Sequence, residues 1–110
     1  MTNDDLILPK NPTLKDYQEY VDKMEHVRGF TEGTILQRCL QLVEEVGELC
    51  KSIRKAEGMQ IDSENSRFGE LEHEMADVML FLCAIANRYN VNLEDAFREK
   101  EELNKKRTWK

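Results

Sequence analysis

Apolar residues recur at steps of three and four along most of the chain, which is the spacing of one face of an α-helix. The pattern predicts four helices, at about 13–29, 34–56, 68–89 and 92–106. No stretch alternates apolar and polar residues for long enough to predict a strand. The sequence therefore predicts an all-α fold.

Polar residues at the boundaries of these segments support the helices. Thr13 is a good N-cap, and Asp16 stands at the position that completes a capping box. Gly29 is a typical helix stop, and Asn92 with Asp95 resembles a second capping box. The helix ends are thus predicted by local chemistry as well as by periodicity.

Two segments depart from the simple amphipathic pattern. The connection at 58–67, GMQIDSENSR, is longer and more polar than two packed helices require, so it is either a cover for a site or a surface segment. The second half of the third helix, VMLFLCAIA, is apolar on nearly all sides. We expect that half to lie centrally, covered by other helices or by a partner subunit.

The chain has 110 residues, which favours one domain, predicted at 13–110 after an N-terminal arm at 1–12. With 16 basic and 22 acidic residues its formal charge is −6, which disfavours binding of a nucleic acid polymer. The first residues lack a basic leader, and no apolar run is long enough to span a membrane. We therefore expect a soluble, cytoplasmic protein without a membrane partner.

Three cysteines, Cys39, Cys50 and Cys83, all fall within predicted helices. Their number is odd and none forms a CxxC pair, which disfavours disulfide or metal chemistry. We expect them to be buried or partly buried thiols.

Acidic residues form two short motifs, EExxE at Glu44, Glu45 and Glu48, and ExxD at Glu74 and Asp77. Acids three apart share a helix face. On a surface helix this is common, so a solvated charged face is the better explanation of either motif taken alone.

Their position relative to the apolar stripe indicates more. On a helical wheel with Leu71 at zero, Glu74 lies at about 300°, inside the apolar arc, and Asp77 at about 240°, on its border. With Ile35 at zero, Glu45 lies at about 280° and Glu48 at about 220°. Because the offsets are similar, two facing antiparallel helices would bring these four carboxylates together beside a hydrophobic seam.

Converging ionised carboxylates repel one another, so they need protonation, basic partners or cations. A divalent cation is the simplest of these. Ligation by oxygen alone favours Mg²⁺, or Mn²⁺ as a substitute, over zinc, and Mg²⁺ characteristically binds a few carboxylates together with substrate phosphates. The acids therefore predict a site for phosphate chemistry.

A di-iron centre is the main alternative for the metal. Glu70 and His73 form ExxH, half of the motif pair that di-iron bundles require. The only other histidine, His26, has a lysine three residues before it. The second half is therefore missing, and His73 is expected at a surface or interface.

The spacing of EExxE and ExxD, about 25 residues apart, resembles the signature of the MazG-like all-α nucleoside triphosphate pyrophosphatases. LVEEVGELCKSI resembles the metal-binding helix of that family, HEMADVMLFLCAIANRYNVNLEDAF the following helix and turn, and KEELNKKRTW its C-terminal motif. The resemblance covers about residues 42–109. It implies a four-helix bundle completed by homo-oligomerisation, as a homodimer or homotetramer.

The resemblance also implies an activity, the hydrolysis of a nucleoside triphosphate between its α and β phosphates to a monophosphate and pyrophosphate, in the clearance of nucleotide pools. It implies residue roles as well. The metal ligands would be Glu45, Glu48, Glu74 and Asp77, with Glu44 as the candidate general base and Lys100, Asn104 and Arg107 as polyphosphate contacts.

Base recognition is less defined, with Phe30 and Arg38 as the candidates for the nucleotide pocket. Two other readings stay open. The chain could be a non-catalytic metal- or nucleotide-binding bundle with a regulatory role, or a structural oligomerisation domain. The last would favour apolar residues where Glu45 and Glu74 stand.

Overall fold

The computed structural model describes residues 1–59 and 70–109. They form a 3₁₀ helix at Asn3–Asp5 and four α-helices, α1 at Leu14–Arg28, α2 at Ile35–Ala56, α3 at Leu71–Arg88 and α4 at Leu93–Lys105, with no strand in this part of the chain. The all-α prediction is therefore confirmed. The predicted start of the third helix at 68 and most of the 58–67 connection lie outside the described residues.

Local hydrogen bonds explain where the helices begin and end. At α1 the Thr13 hydroxyl accepts from the Asp16 backbone N–H at 3.2 Å, and the Asp16 carboxylate accepts from the Thr13 N–H at 2.8 Å. Gly29 ends α1 in the left-handed conformation with φ of 74°, which glycine adopts without steric cost. The predicted capping box and stop are thus confirmed.

The chain divides into two units that are described separately. The first comprises residues 1–32 and 86–110, and the second comprises residues 33–85. In the first unit α1 contacts α4 and the 3₁₀ helix, and its buried apolar side chains are Val21, Met24 and Ala86.

A buried glutamine links α1 to the turn between α3 and α4. Gln18 Nε2 donates to the Val91 carbonyl at 2.7 Å and to Asn87 Oδ1 at 3.2 Å, while Gln18 Oε1 accepts from the Leu93 N–H at 2.9 Å. The Asn87 amide donates in return to the Gln18 carbonyl at 2.9 Å. Each polar group of the Gln18 side chain is therefore satisfied inside the first unit.

The second unit corrects the expectation for two of the cysteines. Cys83 is buried, and burial raises the pKa of its thiol, but Cys39 and Cys50 are exposed. Both lie on α2, on a side where Leu36, Leu40 and Val43 are exposed as well. This side of α2 is therefore apolar and exposed in the described part of the single chain.

None of the described helices combines the length and the apolarity that a membrane crossing needs.

Candidate metal centre

Three of the predicted acids come together in the second unit. Glu45 of α2 and Glu74 and Asp77 of α3 each offer a carboxylate oxygen, and these oxygens all lie within 4.8 Å of one another. Glu74 and Asp77 are three residues apart and therefore share a face of α3. The convergence expected from the two helical wheels is observed for these three side chains.

Glu74 is the most buried member of the group, with 8% of its surface exposed. Its carboxylate offers an oxygen within 4.8 Å of carboxylate oxygens of Glu45 and Asp77. Negative charges held this close repel one another, and a cation bound among them offsets that repulsion. Glu74 therefore supplies the innermost carboxylate of the group.

The carboxyl group of Glu45 shows the effect of this repulsion on its pKa. Burial raises the pKa of its carboxyl group, and the negative charges of Asp77, Glu74, Glu48 and Glu44, in decreasing order, raise it further. A raised carboxyl pKa means that the ionised form is disfavoured where it stands. The four named neighbours all belong to the predicted motifs.

Glu48 is not a member of the close group. Its Oε1 lies 3.9 Å from the ammonium nitrogen of Lys51, one turn further along α2, and both side chains are partly exposed. Sequence reasoning missed Lys51 as this partner, although a Glu and a Lys three apart on a helix are a recognised signal. Glu44 is exposed, follows Val43 directly before Glu45, and is not a member of the close group.

The three converging residues fit a divalent cation. Their donor atoms are all carboxylate oxygens, one of the acids is buried, and a second has a raised pKa. Hard oxygen ligands suit Mg²⁺ and Mn²⁺, and a Mg²⁺ ion held by few carboxylates keeps positions open for water and phosphate oxygens. Histidine does not take part, because His73 and Glu70 are both exposed and belong to no such group in the described residues.

The predicted polyphosphate contacts lie in the first unit. Lys100 and Asn104 are on α4, and Arg107 follows its C-terminus with the guanidinium carbon 4.6 Å from the centre of the Trp109 ring. The Oδ1 atom of Asn104 is buried and accepts no hydrogen bond from the described residues. An orphaned amide oxygen of this kind needs an explanation, and a ligand or a partner subunit could supply its donor.

The two residues predicted to line the nucleotide pocket lie in different environments. Phe30 is exposed, whereas Arg38 of α2 is buried and donates from Nη1 to Gln41 Oε1 at 2.8 Å. A Cβ atom on Gly33 would lie 3.0 Å from the Arg38 guanidinium, so the absence of a side chain at 33 makes room for it. No sequence signal connected Gly33 with Arg38.

The chain is similar in sequence to a known protein family and to individual proteins. A family model described as the MazG nucleotide pyrophosphohydrolase domain matches residues 33–108. Two proteins of Bacillus subtilis strain 168, both described as uncharacterized, are similar in sequence. YvdC is 33% identical over 100 residues, covering 86% of this chain and 94% of the relative. YpjD is 31% identical over 86 residues, covering 76% of each.

A solved structure shares the fold. The crystal structure of iMazG from Vibrio DAT 722 superposes with a TM-score of 0.60 at 33% sequence identity, covering 84% of this chain and 98% of that one. A second crystal structure of the same protein gives a TM-score of 0.59. The matched region contains all the acids of the EExxE and ExxD motifs.

Proposed function

Because this chain belongs to the MazG nucleotide pyrophosphohydrolase family, we propose that it hydrolyses a nucleoside or deoxynucleoside triphosphate between the α and β phosphates. The products would be a nucleoside monophosphate and pyrophosphate. The observation that carries this proposal is the convergence of the carboxylates of Glu45, Glu74 and Asp77, of which Glu74 is buried. Clearance of cytoplasmic nucleotide pools is the role that fits such an activity.

In this proposal Mg²⁺, or Mn²⁺ in its place, is held by Glu45, Glu74 and Asp77, with Glu48 as the fourth ligand. The ion would neutralise charge on the phosphates and lower the pKa of a bound water. Glu48 would exchange its contact with Lys51 for the ion. Burial and the neighbouring acids raise the pKa of Glu45, and a bound cation would favour its ionised form.

The remaining residues would act on the water and the substrate. Glu44 is exposed beside Glu45 and would accept the proton of the attacking water as general base. Lys100 and Arg107 would bind the leaving pyrophosphate through charge-assisted hydrogen bonds, with Asn104 adding a polar contact. Phe30 and Arg38 would contact the nucleoside.

A second candidate is a binding module that holds a cation or nucleotide without turnover. The placement of Glu48 favours it, because this side chain pairs with Lys51 and only three acids form the close group. A fourth ligand that stays on Lys51 would leave a site that binds a cation and catalyses poorly.

The deciding experiment measures products across a panel of canonical and modified nucleoside triphosphates, with and without Mg²⁺. Both pyrophosphate and orthophosphate are quantified. We expect Mg²⁺-dependent release of pyrophosphate and monophosphate, with a loss of at least about a hundredfold in Glu74→Gln because a buried metal ligand is removed. Glu57→Gln, at an exposed acid just after α2, is the matched control and should retain full activity.

Two other outcomes are informative. Orthophosphate as the product would contradict cleavage between the α and β phosphates. No turnover by a folded protein that still binds Mg²⁺ and nucleotide would contradict the enzyme and support the binding module.

A further inference from the structure

Just after α4, a cation of the chain lies over an aromatic ring. The guanidinium carbon of Arg107 is 4.6 Å from the centre of the Trp109 ring. Both residues belong to the first unit and follow the last residue of α4, Lys105. Trp109 is 70% exposed, so little of its ring is buried against the described chain. Burial in a core therefore does not account for the place of the ring beside Arg107.

The backbone that carries Arg107 is anchored to the last turn of α4. The N–H of Arg107 donates to the Asn104 carbonyl at 3.0 Å, and the N–H of Lys106 donates to the Leu103 carbonyl at 3.2 Å. Trp109 stands only two residues after Arg107. The contact is thus a property of this end of the chain and does not require packing between distant segments.

Two other basic side chains of α4 are paired with acids. Arg98 Nε donates to Glu94 Oε2 at 3.1 Å. Lys105 Nζ donates to Glu102 Oε1, also at 3.1 Å. A carboxylate partner opposes the positive charge of a cation and accepts some of its N–H groups. Arg107 lies against a neutral ring, so this contact leaves its positive charge uncancelled.

An aromatic face holds a guanidinium without using its hydrogen-bond donors. The attraction comes from the negative charge on the face of the ring, and the indole of tryptophan is the strongest of the aromatic side chains in this role. The N–H groups of an arginine lie in the plane of the guanidinium, around its edge. The contact with Trp109 therefore takes none of the positions that phosphate oxygens would occupy on Arg107.

A polyphosphate is the ligand that suits such a group. A guanidinium fork can donate to two phosphate oxygens at once. The chain has a formal charge of −6, so it attracts a strongly anionic ligand only where positive charge is locally uncancelled. Arg107 meets both conditions.

The ring also lowers the entropy that binding must remove. A free arginine side chain has one of the largest rotamer entropies of any residue. A guanidinium that already lies on a ring loses less of this freedom when the ligand arrives. Arg107 held by Trp109 should therefore bind an anion more tightly than the same side chain without the ring.

We propose that Trp109 is a positioning residue for the polyphosphate of the substrate. Its ring holds the guanidinium of Arg107 beside the end of α4, and the N–H groups at the guanidinium edge are left to the phosphate oxygens. This inference rests on the proposed function, in which Arg107 binds the leaving pyrophosphate. It gives Trp109 a role that acts only through Arg107.

Binding of inorganic pyrophosphate tests the role of the ring without turnover. Isothermal titration calorimetry in Mg²⁺ compares the unmodified full chain with Trp109→Leu, which has no ring, and Trp109→Phe, which keeps one. We expect Trp109→Leu to bind about two- to fivefold more weakly, the equivalent of a cation–π contact at an exposed site. Trp109→Phe should recover part of this loss. Tyr89→Leu, at another exposed aromatic residue, is the matched control and should bind like the unmodified protein.

A double-mutant cycle shows whether Trp109 acts through Arg107. Arg107→Met removes the charge and keeps an unbranched side chain, and we expect it to weaken binding more than Trp109→Leu does. In the Arg107→Met background, Trp109→Leu should cause no further loss, because the ring has no guanidinium to hold. Additive losses would overturn the proposal, and so would a Trp109→Leu variant that binds pyrophosphate like the unmodified protein.

Fluorescence gives a second, independent measurement. Trp109 is the only tryptophan of the chain, so intrinsic tryptophan emission reports on this ring alone. Saturation with pyrophosphate should change the emission of the unmodified protein, because the anion reaches the cation that lies over the ring. At equal saturation the change should be smaller in Arg107→Met. Emission that stays constant while calorimetry records binding would overturn the proposal, because pyrophosphate would then bind away from Trp109.

The positioning role and the proposed hydrolysis fail separately. Pyrophosphate binding that couples Trp109 to Arg107, in a protein that turns over no nucleoside triphosphate, would contradict the hydrolysis and leave the positioning role. Turnover by a protein whose pyrophosphate affinity Trp109→Leu does not change would do the reverse. An unmodified protein that does not bind pyrophosphate would overturn the positioning role as well. Circular dichroism should be the same for all variants at Trp109, because this residue follows the last helix and is mostly exposed.

Discussion

At the scale of single residues, the acids of α2 and α3 make the second unit electrostatically incomplete. The carboxylates of Glu45, Glu74 and Asp77 each offer an oxygen within 4.8 Å of the others, so their negative charges repel one another. Because the pKa of Glu45 is raised, its proton is held more tightly in the folded chain than in the unfolded one. The same residues that are proposed to bind the metal should therefore destabilise the metal-free protein.

The raised pKa of Glu45 predicts that the stability of the metal-free protein depends on pH. Glu45→Gln should remove this dependence. Between the ordinary glutamate pKa, about 4.3, and the raised value, the native state binds more protons than the unfolded state, so stability falls as pH rises. In EDTA at pH 7, Glu45→Gln should thus be more stable than the unmodified protein, and the difference should shrink as pH falls toward 4. Urea unfolding measured at several pH values checks this.

The exposed Glu57→Gln variant is the control, and it should show no such trend. If Glu45→Gln proved less stable than the unmodified protein at pH 7 without metal, repulsion among the carboxylates would not destabilise the folded chain.

Lys51 leads to a second prediction at this scale. Its ammonium group lies 3.9 Å from Glu48 and would compete with the cation for that carboxylate. Lys51→Met should therefore tighten Mg²⁺ or Mn²⁺ binding by roughly two- to fivefold, because an exposed ion pair contributes about 0.2–1 kcal/mol. Isothermal titration calorimetry measures the change.

Lys15→Met removes a similar exposed pair, with Glu19 at 3.8 Å, away from the acids. It should leave the metal affinity unaltered. Weaker metal binding in Lys51→Met would mean that the lysine supports Glu48 as a ligand rather than competing for it.

At the scale of elements, features that depend on neighbours in sequence were predictable. Thr13 with Asp16 and Gly29 define α1 through contacts within four residues, so their sequence pattern carries the information. The acids of α2 and α3 were also predictable as a group, because a residue's angle on a helix follows from its number. The predicted roles of Lys100, Asn104 and Arg107 remain predictions.

Features that depend on distant residues were not predictable. Gln18 meets Asn87 across 69 residues, and nothing in either local sequence marks the pair. Cys39 and Cys50 were expected to be buried or partly buried and are exposed, because a helical pattern shows which side is apolar without showing what covers it. Glu48 was expected to join Glu45 because the two lie at similar angles on the helical wheel, but its carboxylate lies 3.9 Å from the ammonium nitrogen of Lys51 instead.

The hydrogen bonds of Gln18 predict that removal of its side-chain amide causes a large loss of stability. Gln18→Ala would leave the Leu93 N–H and the Val91 carbonyl without their partner while both remain partly buried. Leaving buried polar groups unsatisfied costs about 1–3 kcal/mol each, so for these two groups we expect a total loss of roughly 2–6 kcal/mol in the free energy of unfolding. Thermal and urea unfolding provide the measurement.

Glu19→Ala alters the adjacent exposed residue and should change the free energy of unfolding by no more than about 0.5 kcal/mol. A loss below 1 kcal/mol in Gln18→Ala would show that water replaces the missing amide and that the link between α1 and the α3–α4 turn is not rigid.

At the scale of the whole molecule, a divalent cation can stabilise the protein in two ways, by screening its net charge or by binding at a specific site. The formal charge of the chain is −6, so any divalent cation will bind weakly around it and screen its self-repulsion. A specific site differs because its effect depends on particular carboxylates. Thermal stability distinguishes the two effects, since a ligand that binds only the native state stabilises it by mass action.

We expect Mg²⁺ at about a hundred times its dissociation constant to stabilise the protein by about 2.7 kcal/mol. For a domain of this size that corresponds to a rise of roughly 10 °C in the unfolding temperature. Glu74→Gln should lose most of this rise, because the substitution removes the buried ligand and keeps its volume, whereas Glu57→Gln should keep it. If the two variants responded alike, the cation would act by screening the overall charge, and the three converging carboxylates would not be a metal site.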